Sequence, residues 1–150
     1  MVNGSVKVYV CCSSVLYMKF LTATLIQGSR KFVAGERPPE DSKFPTSKRK
    51  QTFGLDVTVE TEILEASRRW GSIVMSDLES IPLGLFIFGA GIMAGANQNV
   101  HCRAMVAFTT ARCLHTYAYA KAKQPMRSLC YGVGMMATLV GLGNAVSAIL

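Results

Sequence analysis

Apolar residues fall in four long blocks separated by polar breaks, at about Val6 to Gln27, 60–96, 104–120 and 129–150. The first block holds 22 residues. At about 1.5 Å of rise per residue it is long enough to cross a hydrocarbon core of about 30 Å. The second opens on Glu60, Glu62 and Glu65, where acids complement the positive end of a helix dipole. Arg69, Ser72, Ser76 and Glu79 then recur at intervals of three, four and three, which places them on one stripe of one helix. An uncharged stretch from Ile81 to Ala96 follows, with Pro82 expected to kink it. Gly91 and Gly95 form a G-x-x-x-G tetrad of the kind that lets helices pack closely. Asn97 to Arg103 reads as a brief connection, and Ala104 to Ala120 as a short third span. Leu129 to Leu150 carries no charge, and its Gly132, Gly134, Gly141 and Gly143 suggest tight helix contact. The pattern predicts an all-α fold: an integral membrane four-helix bundle formed as a single domain over residues 1–150.

Composition strengthens the membrane reading. Half of the chain is hydrophobic and 17% is charged, against about 25% in ordinary globular proteins. Every acid lies between Glu36 and Glu79, so the rest of the chain has no acid from which to build a soluble surface. The net charge of +7 does not suggest nucleic acid, because the basic residues gather in two loops and trace no groove. One of these loops contains Arg30, Lys31 and the trio Lys48-Arg49-Lys50; the other contains Lys121, Lys123 and Arg127. The positive-inside rule then puts both loops in the cytosol and both termini in a lumen or outside. Arg30 and Lys31 follow the first apolar block, and Lys19 interrupts it, which is the wrong arrangement for a cleaved signal peptide. Gly28 to Thr58 reads as a long solvated loop. Asn3-Gly4-Ser5 is formally a glycosylation sequon, but it lies close against the first span. The five cysteines are odd in number and show no C-x-x-C spacing, which points to neither a disulfide framework nor a metal site.

Ionisable groups inside apolar sequence are costly and mark candidate functional positions. Arg112, His115 and Tyr119 fall at helical spacing near the end of the third block. Arg127, Ser128 and Tyr131 open the fourth. With Ser76 and Glu79 they would form a polar cluster at one membrane face, suited to a small anionic ligand, since an arginine fork grips a carboxylate with two bonds. Plainer roles also fit these residues. Arg112 could pair with Glu79 or Asp77, His115 could bond a neighbouring helix, Arg127 could be an interfacial anchor, and the tyrosines could belong to the aromatic belt.

Several motifs resemble those of the MAPEG family, membrane-associated proteins in eicosanoid and glutathione metabolism. Cys11 to Ala23 is similar to its first helix, and Phe32 to Asp41, ending P-E-D, to its F-A-N-P-E-D segment. Asp77-Leu78-Glu79-Ser80-Ile81 is similar to its N-D-L-E-N-I signature. The most specific likeness is R-x-x-H-T-x-A-Y from Arg112 to Tyr119, followed by P-x-R-S-x-x-Y from Pro125 to Tyr131. R-S-x-x-Y resembles the prostaglandin E synthase branch, whereas the microsomal glutathione transferases carry R-A-x-x-F.

The resemblance implies a homotrimer of the endoplasmic reticulum membrane, with glutathione bound between neighbouring subunits and a lipophilic substrate reached from the bilayer. It implies that Arg127 and Ser128 stabilise the glutathione thiolate, with Asp41 assisting proton transfer. Arg30, Arg69, Ser76, Glu79, His115, Tyr119 and Tyr131 would hold the tripeptide. The chain departs from the family on helix two, where Ser72 and Met75 stand in place of arginines and Ser76 in place of an asparagine. The implied activity is conversion of prostaglandin H to prostaglandin E. The alternatives are a glutathione transferase or peroxidase acting on lipophilic electrophiles, and a non-catalytic lipid-binding scaffold.

Overall fold

The computed structural model of the chain describes residues 3–44, 49–55 and 58–150, so Lys48 of the basic trio lies outside the described residues. Four helices account for most of it: α1 Gly4–Ala34, α2 Thr61–Met93, α3 Gln98–Ala120 and α4 Gln124–Val146, with a short 3-10 helix at Pro39–Lys43. No strand occurs among the described residues. Helices α1, α2 and α4 are long and apolar enough to cross a membrane. Helix α3 has 23 residues but carries His101, Arg103, Arg112 and His115. The all-α, four-helix expectation is met.

Several boundaries differ from the expected ones, each for a local reason. Helix α1 does not stop at Gln27; it continues through residues 28–34, where the polar pattern predicts loop. The stop comes at Gly35, with φ +74°, where Glu36 N–H donates to the Lys31 carbonyl at 3.0 Å. That six-to-one bond over a left-handed residue closes a helix end at little steric cost only with glycine. The segment expected to connect the second and third spans is mostly helix. Asn97 caps α3, its side chain accepting from the N–H of Asn99 at 3.1 Å and of Val100 at 3.4 Å. Pro125 occupies the first turn of α4, where its missing N–H is no loss, so Arg127 and Ser128 lie inside the helix. Helix α2 runs through Pro82 unbroken, leaving the Leu78 carbonyl without its usual i+4 donor.

The chain folds as two compact units, Met1–Phe20 with Ser76–Leu150, and Leu21–Met75. In the first, all four helices contribute to one core built on Leu16, Phe88, Met105 and Phe108, with Cys12, Ile81, Ala104 and Ala137 around them. Tyr9 reaches from α1 to donate to the Leu85 carbonyl at 3.2 Å. The G-x-x-x-G tetrad does not act as a packing pair. Gly91 makes room for the His101 ring, and Gly95, at φ +72°, ends α2 with nothing within 4 Å of where a Cβ would stand. Close approaches occur instead at Gly84, against the Phe108 ring, and at Gly141, where a Cβ would lie 2.6 Å from the Phe88 ring. Gly141→Val is therefore expected to lower stability by about 1–3 kcal/mol through overpacking, read as an earlier melting transition in detergent. An unchanged transition would show that Phe88 moves aside freely. Ser5, the third residue of the sequon, is buried and accepts a contact from the Cys102 thiol at 3.9 Å.

The second unit ties its loop down through Gln51, which is fully buried. Its side-chain oxygen accepts from Arg37 N–H at 3.2 Å, and its amide donates to the carbonyls of Phe32 at 2.9 Å and Arg49 at 3.1 Å. Ser67 donates to the Glu36 carboxylate at 2.5 Å. The segment between α1 and α2, expected to be solvated for most of its length, thus has Gln51 buried and hydrogen-bonded at the centre of its described part.

Candidate functional site

Three charges from three helices meet inside the first unit. Asp77 Oδ1 accepts from Lys19 Nζ at 2.5 Å and from Arg112 Nη2 at 2.6 Å. Asp77 is 0% exposed and Arg112 is 2% exposed. Arg112 Nη2 also donates to Ser76 Oγ at 3.2 Å. Of the two acids open to Arg112 on sequence grounds, the structure selects Asp77. Lys19 belongs to the same cluster, although the apolar pattern marks it only as an interruption of the first span. Its signal is present in the sequence all the same, because a lysine in an apolar helix needs a counter-charge.

The group carries two cations on one carboxylate and is not saturated. Asp77 Oδ2, Arg112 Nε and His115 Nδ1 are buried and have no hydrogen-bond partner among the described residues. Unpaired buried donors and acceptors are costly, so this edge of the cluster is suited to a polar ligand. Arg112 also lines, with Glu79, Tyr131, Phe108 and Gly134, a groove of about 300 Å³.

Beside this groove, next to Tyr131, the structure brings together three more expected residues. His115 stacks edge-on to Tyr119, with ring centroids 5.7 Å apart, and lies 6.1 Å from Tyr131. The Arg127 guanidinium sits 4.6 Å above the centre of the Tyr119 ring. The i,i+4 steps from His115 to Tyr119 and from Arg127 to Tyr131 set these side chains along facing edges of α3 and α4. Ser128 takes a different face of α4. It lines a more apolar groove of about 700 Å³ between α3 and α4, with Arg103, Leu129, Val133 and Met136.

Arg30, Asp41 and Arg69 belong to the second unit. Asp41 pairs with Arg37 at 3.4 Å. Arg30 lines a cleft of about 200 Å³ with Glu62 and Ile63, and Arg69 is half-buried on α2. Ser72, at the family's second arginine position, donates its hydroxyl to the Arg68 carbonyl at 3.1 Å.

The sequence model of the MAPEG family matches residues 8–147. No curated protein matches the chain.

Proposed function

The chain belongs to the MAPEG family, and from that premise we propose that it is a glutathione-dependent isomerase of the prostaglandin E synthase kind. At the coarser level, this is a membrane protein of a family that includes glutathione transferases and isomerases. The observation that supports the finer reading is the gathering of Arg112, Glu79, His115, Tyr119, Tyr131 and Arg127 from three helices, with Glu79 near the middle of α2.

That residue set fits the tripeptide chemically. Glutathione has two carboxylates, one ammonium group and one thiol. Arg112 offers an unpartnered buried Nε–H to a carboxylate. Glu79 offers an acceptor to the ammonium group, and His115 and Tyr131 offer neutral hydrogen bonds. Bound glutathione would supply a thiolate that attacks one endoperoxide oxygen, forming an S–O bond and breaking the O–O bond. Loss of the proton from the carbon bearing that oxygen then forms the ketone, breaks the S–O bond and returns the thiolate, while the other oxygen takes up a proton as a hydroxyl. Arg127 would hold the sulfur in its anionic form, since a neighbouring cation lowers a thiol's pKa. Ser128 would donate a hydrogen bond to the same sulfur. The resemblance gives Asp41, which pairs with Arg37 in the second unit, a part in assisting proton transfer.

Ser128 and Tyr131 face different grooves of one protomer, an arrangement suited to a ligand shared between subunits. We therefore read the assembly as a homotrimer with glutathione between neighbours, in the endoplasmic reticulum membrane with the site towards the cytosol. The lipophilic substrate would enter along the apolar groove that Ser128 lines.

One observation favours a second reading, a non-catalytic lipid-binding scaffold. Ser72 spends its hydroxyl on its own helix, and Met75 is exposed where the family pattern has a cation. Losing charged partners for the glutathione carboxylates would cost about 1.5–3 kcal/mol each. Purified protein given glutathione with prostaglandin H, or with a chlorinated nitrobenzene, separates the readings. Prostaglandin E formation supports the isomerase, and conjugation of the nitrobenzene alone supports a transferase. Absence of glutathione binding at millimolar concentration would leave the scaffold.

A further inference from the structure

The second unit holds a cleft that the glutathione chemistry does not use. It has a volume of about 560 Å³, within the ordinary range for small-ligand sites. Ser29, Phe32 and Val33 of α1 and Ile63 of α2 form its wall, and Arg37 and Arg49 its basic end. The Arg37 guanidinium lies 5.4 Å over the Phe32 ring, and its Nη2 rests against Gly28, where a Cβ would stand 3.0 Å away. Arg49 packs its side chain over Gly35 at the helix end. Both cations are thus placed by backbone glycines beside an apolar wall.

The depth of this cleft follows from the length of α1. Its 31 residues make a rod of about 46 Å, longer than a hydrocarbon core of about 30 Å. The apolar block ends at Gln27, so the turns that line the cleft emerge at headgroup level. There an apolar wall meets acyl carbon, and guanidinium groups meet phosphate.

We propose that the Arg37–Arg49 cleft binds an anionic phospholipid, its phosphodiester between the two guanidinium groups and its upper acyl carbons along Phe32, Val33 and Ile63. The occupant is a lipid and not a soluble phosphate because the larger part of the lining is apolar. Asp41 engages only Nη1 of Arg37, and at 3.4 Å. The site touches the glutathione reading only through the Arg37–Asp41 pair, and its lipid-retention test stands or falls without that reading.

The test uses the full-length protein in nanodiscs containing equal parts phosphatidylcholine and phosphatidylglycerol. Native mass spectrometry then reads the two adducts. Each guanidinium contributes about a fivefold preference for the anionic lipid, so the native protein should retain phosphatidylglycerol at least tenfold over phosphatidylcholine. The double variant Arg37→Gln/Arg49→Gln should lower that ratio at least fivefold. Ser29→Trp, which keeps both charges and fills the cleft, should lower phosphatidylglycerol retention to the same extent and serves if the double variant does not fold. A native ratio near one, a ratio that survives either variant, or inorganic phosphate displacing the lipid at equal concentration overturns the proposal.

Discussion

Replacing Asp77 with leucine is expected to lower the melting temperature in detergent by on the order of 10 °C. The carboxylate is fully buried and is the shared partner of Lys19 and Arg112. Without it two cations remain in an apolar interior, facing each other. Removing one member of a buried ion pair typically costs about 3–5 kcal/mol, because the other charge is stranded. For a chain of this size that corresponds to roughly 2–4 °C per kcal/mol. The same reasoning predicts a rescue. A triple variant, Lys19→Met with Asp77→Leu and Arg112→Leu, removes all three charges together and should recover most of the lost stability, since apolar replacements of buried ion pairs are often neutral. It should not recover glutathione binding, because Arg112 lines the groove beside Glu79. Melting of Asp77→Leu at the native temperature would show that the cluster has no structural role. Glutathione binding by the triple variant would remove Arg112 from the site.

The contrast between Lys19 and the G-x-x-x-G tetrad shows how far the sequence can be read. Apolar runs reveal helices well, because a membrane requires long, internally bonded, apolar segments. They reveal helix ends poorly, because hydrophobicity stops where the bilayer stops and hydrogen bonding does not. Gly35 and Asn97 end and begin helices by backbone geometry and side-chain capping, well beyond the hydrophobic edges at Gln27 and Arg103. Spacing also predicts neighbours along one helix. His115 with Tyr119 is readable at i,i+4 for that reason. It is silent about partners 58 and 35 positions apart, which is the separation of Lys19 and Arg112 from Asp77. Gly91 misleads because a glycine that accommodates an imidazole has the same spacing as one that accommodates a helix. Asp77 and Glu79 are equivalent candidates for Arg112 in sequence. Two residues apart, they point to different sides of α2, and the structure gives one to the core and the other to the groove.

Arg127→Ala is expected to reduce glutathione-dependent turnover about a hundredfold or more while leaving the assembly intact. The expectation rests on what Arg127 touches. Its guanidinium lies on the Tyr119 ring, a contact of about 0.5–1 kcal/mol at a partly exposed site. It stands in the first turn of α4, where a cation opposes the helix dipole, so truncation also relieves a small local cost. Stability should therefore change by less than about 1 kcal/mol. Catalysis should change far more, because removing one preorganised donor from a developing or resident anion commonly costs about a hundred- to a thousandfold. A structural role and a thiolate-stabilising role then separate in one measurement. The ultraviolet absorbance of thiolate in bound glutathione should be present in the native protein, absent in Arg127→Ala and partly restored in Arg127→Lys, with the number of subunits per particle the same in all three. Thiolate absorbance and turnover that persist in the alanine variant would take the arginine out of the chemistry and leave Ser128 as the remaining donor to the sulfur.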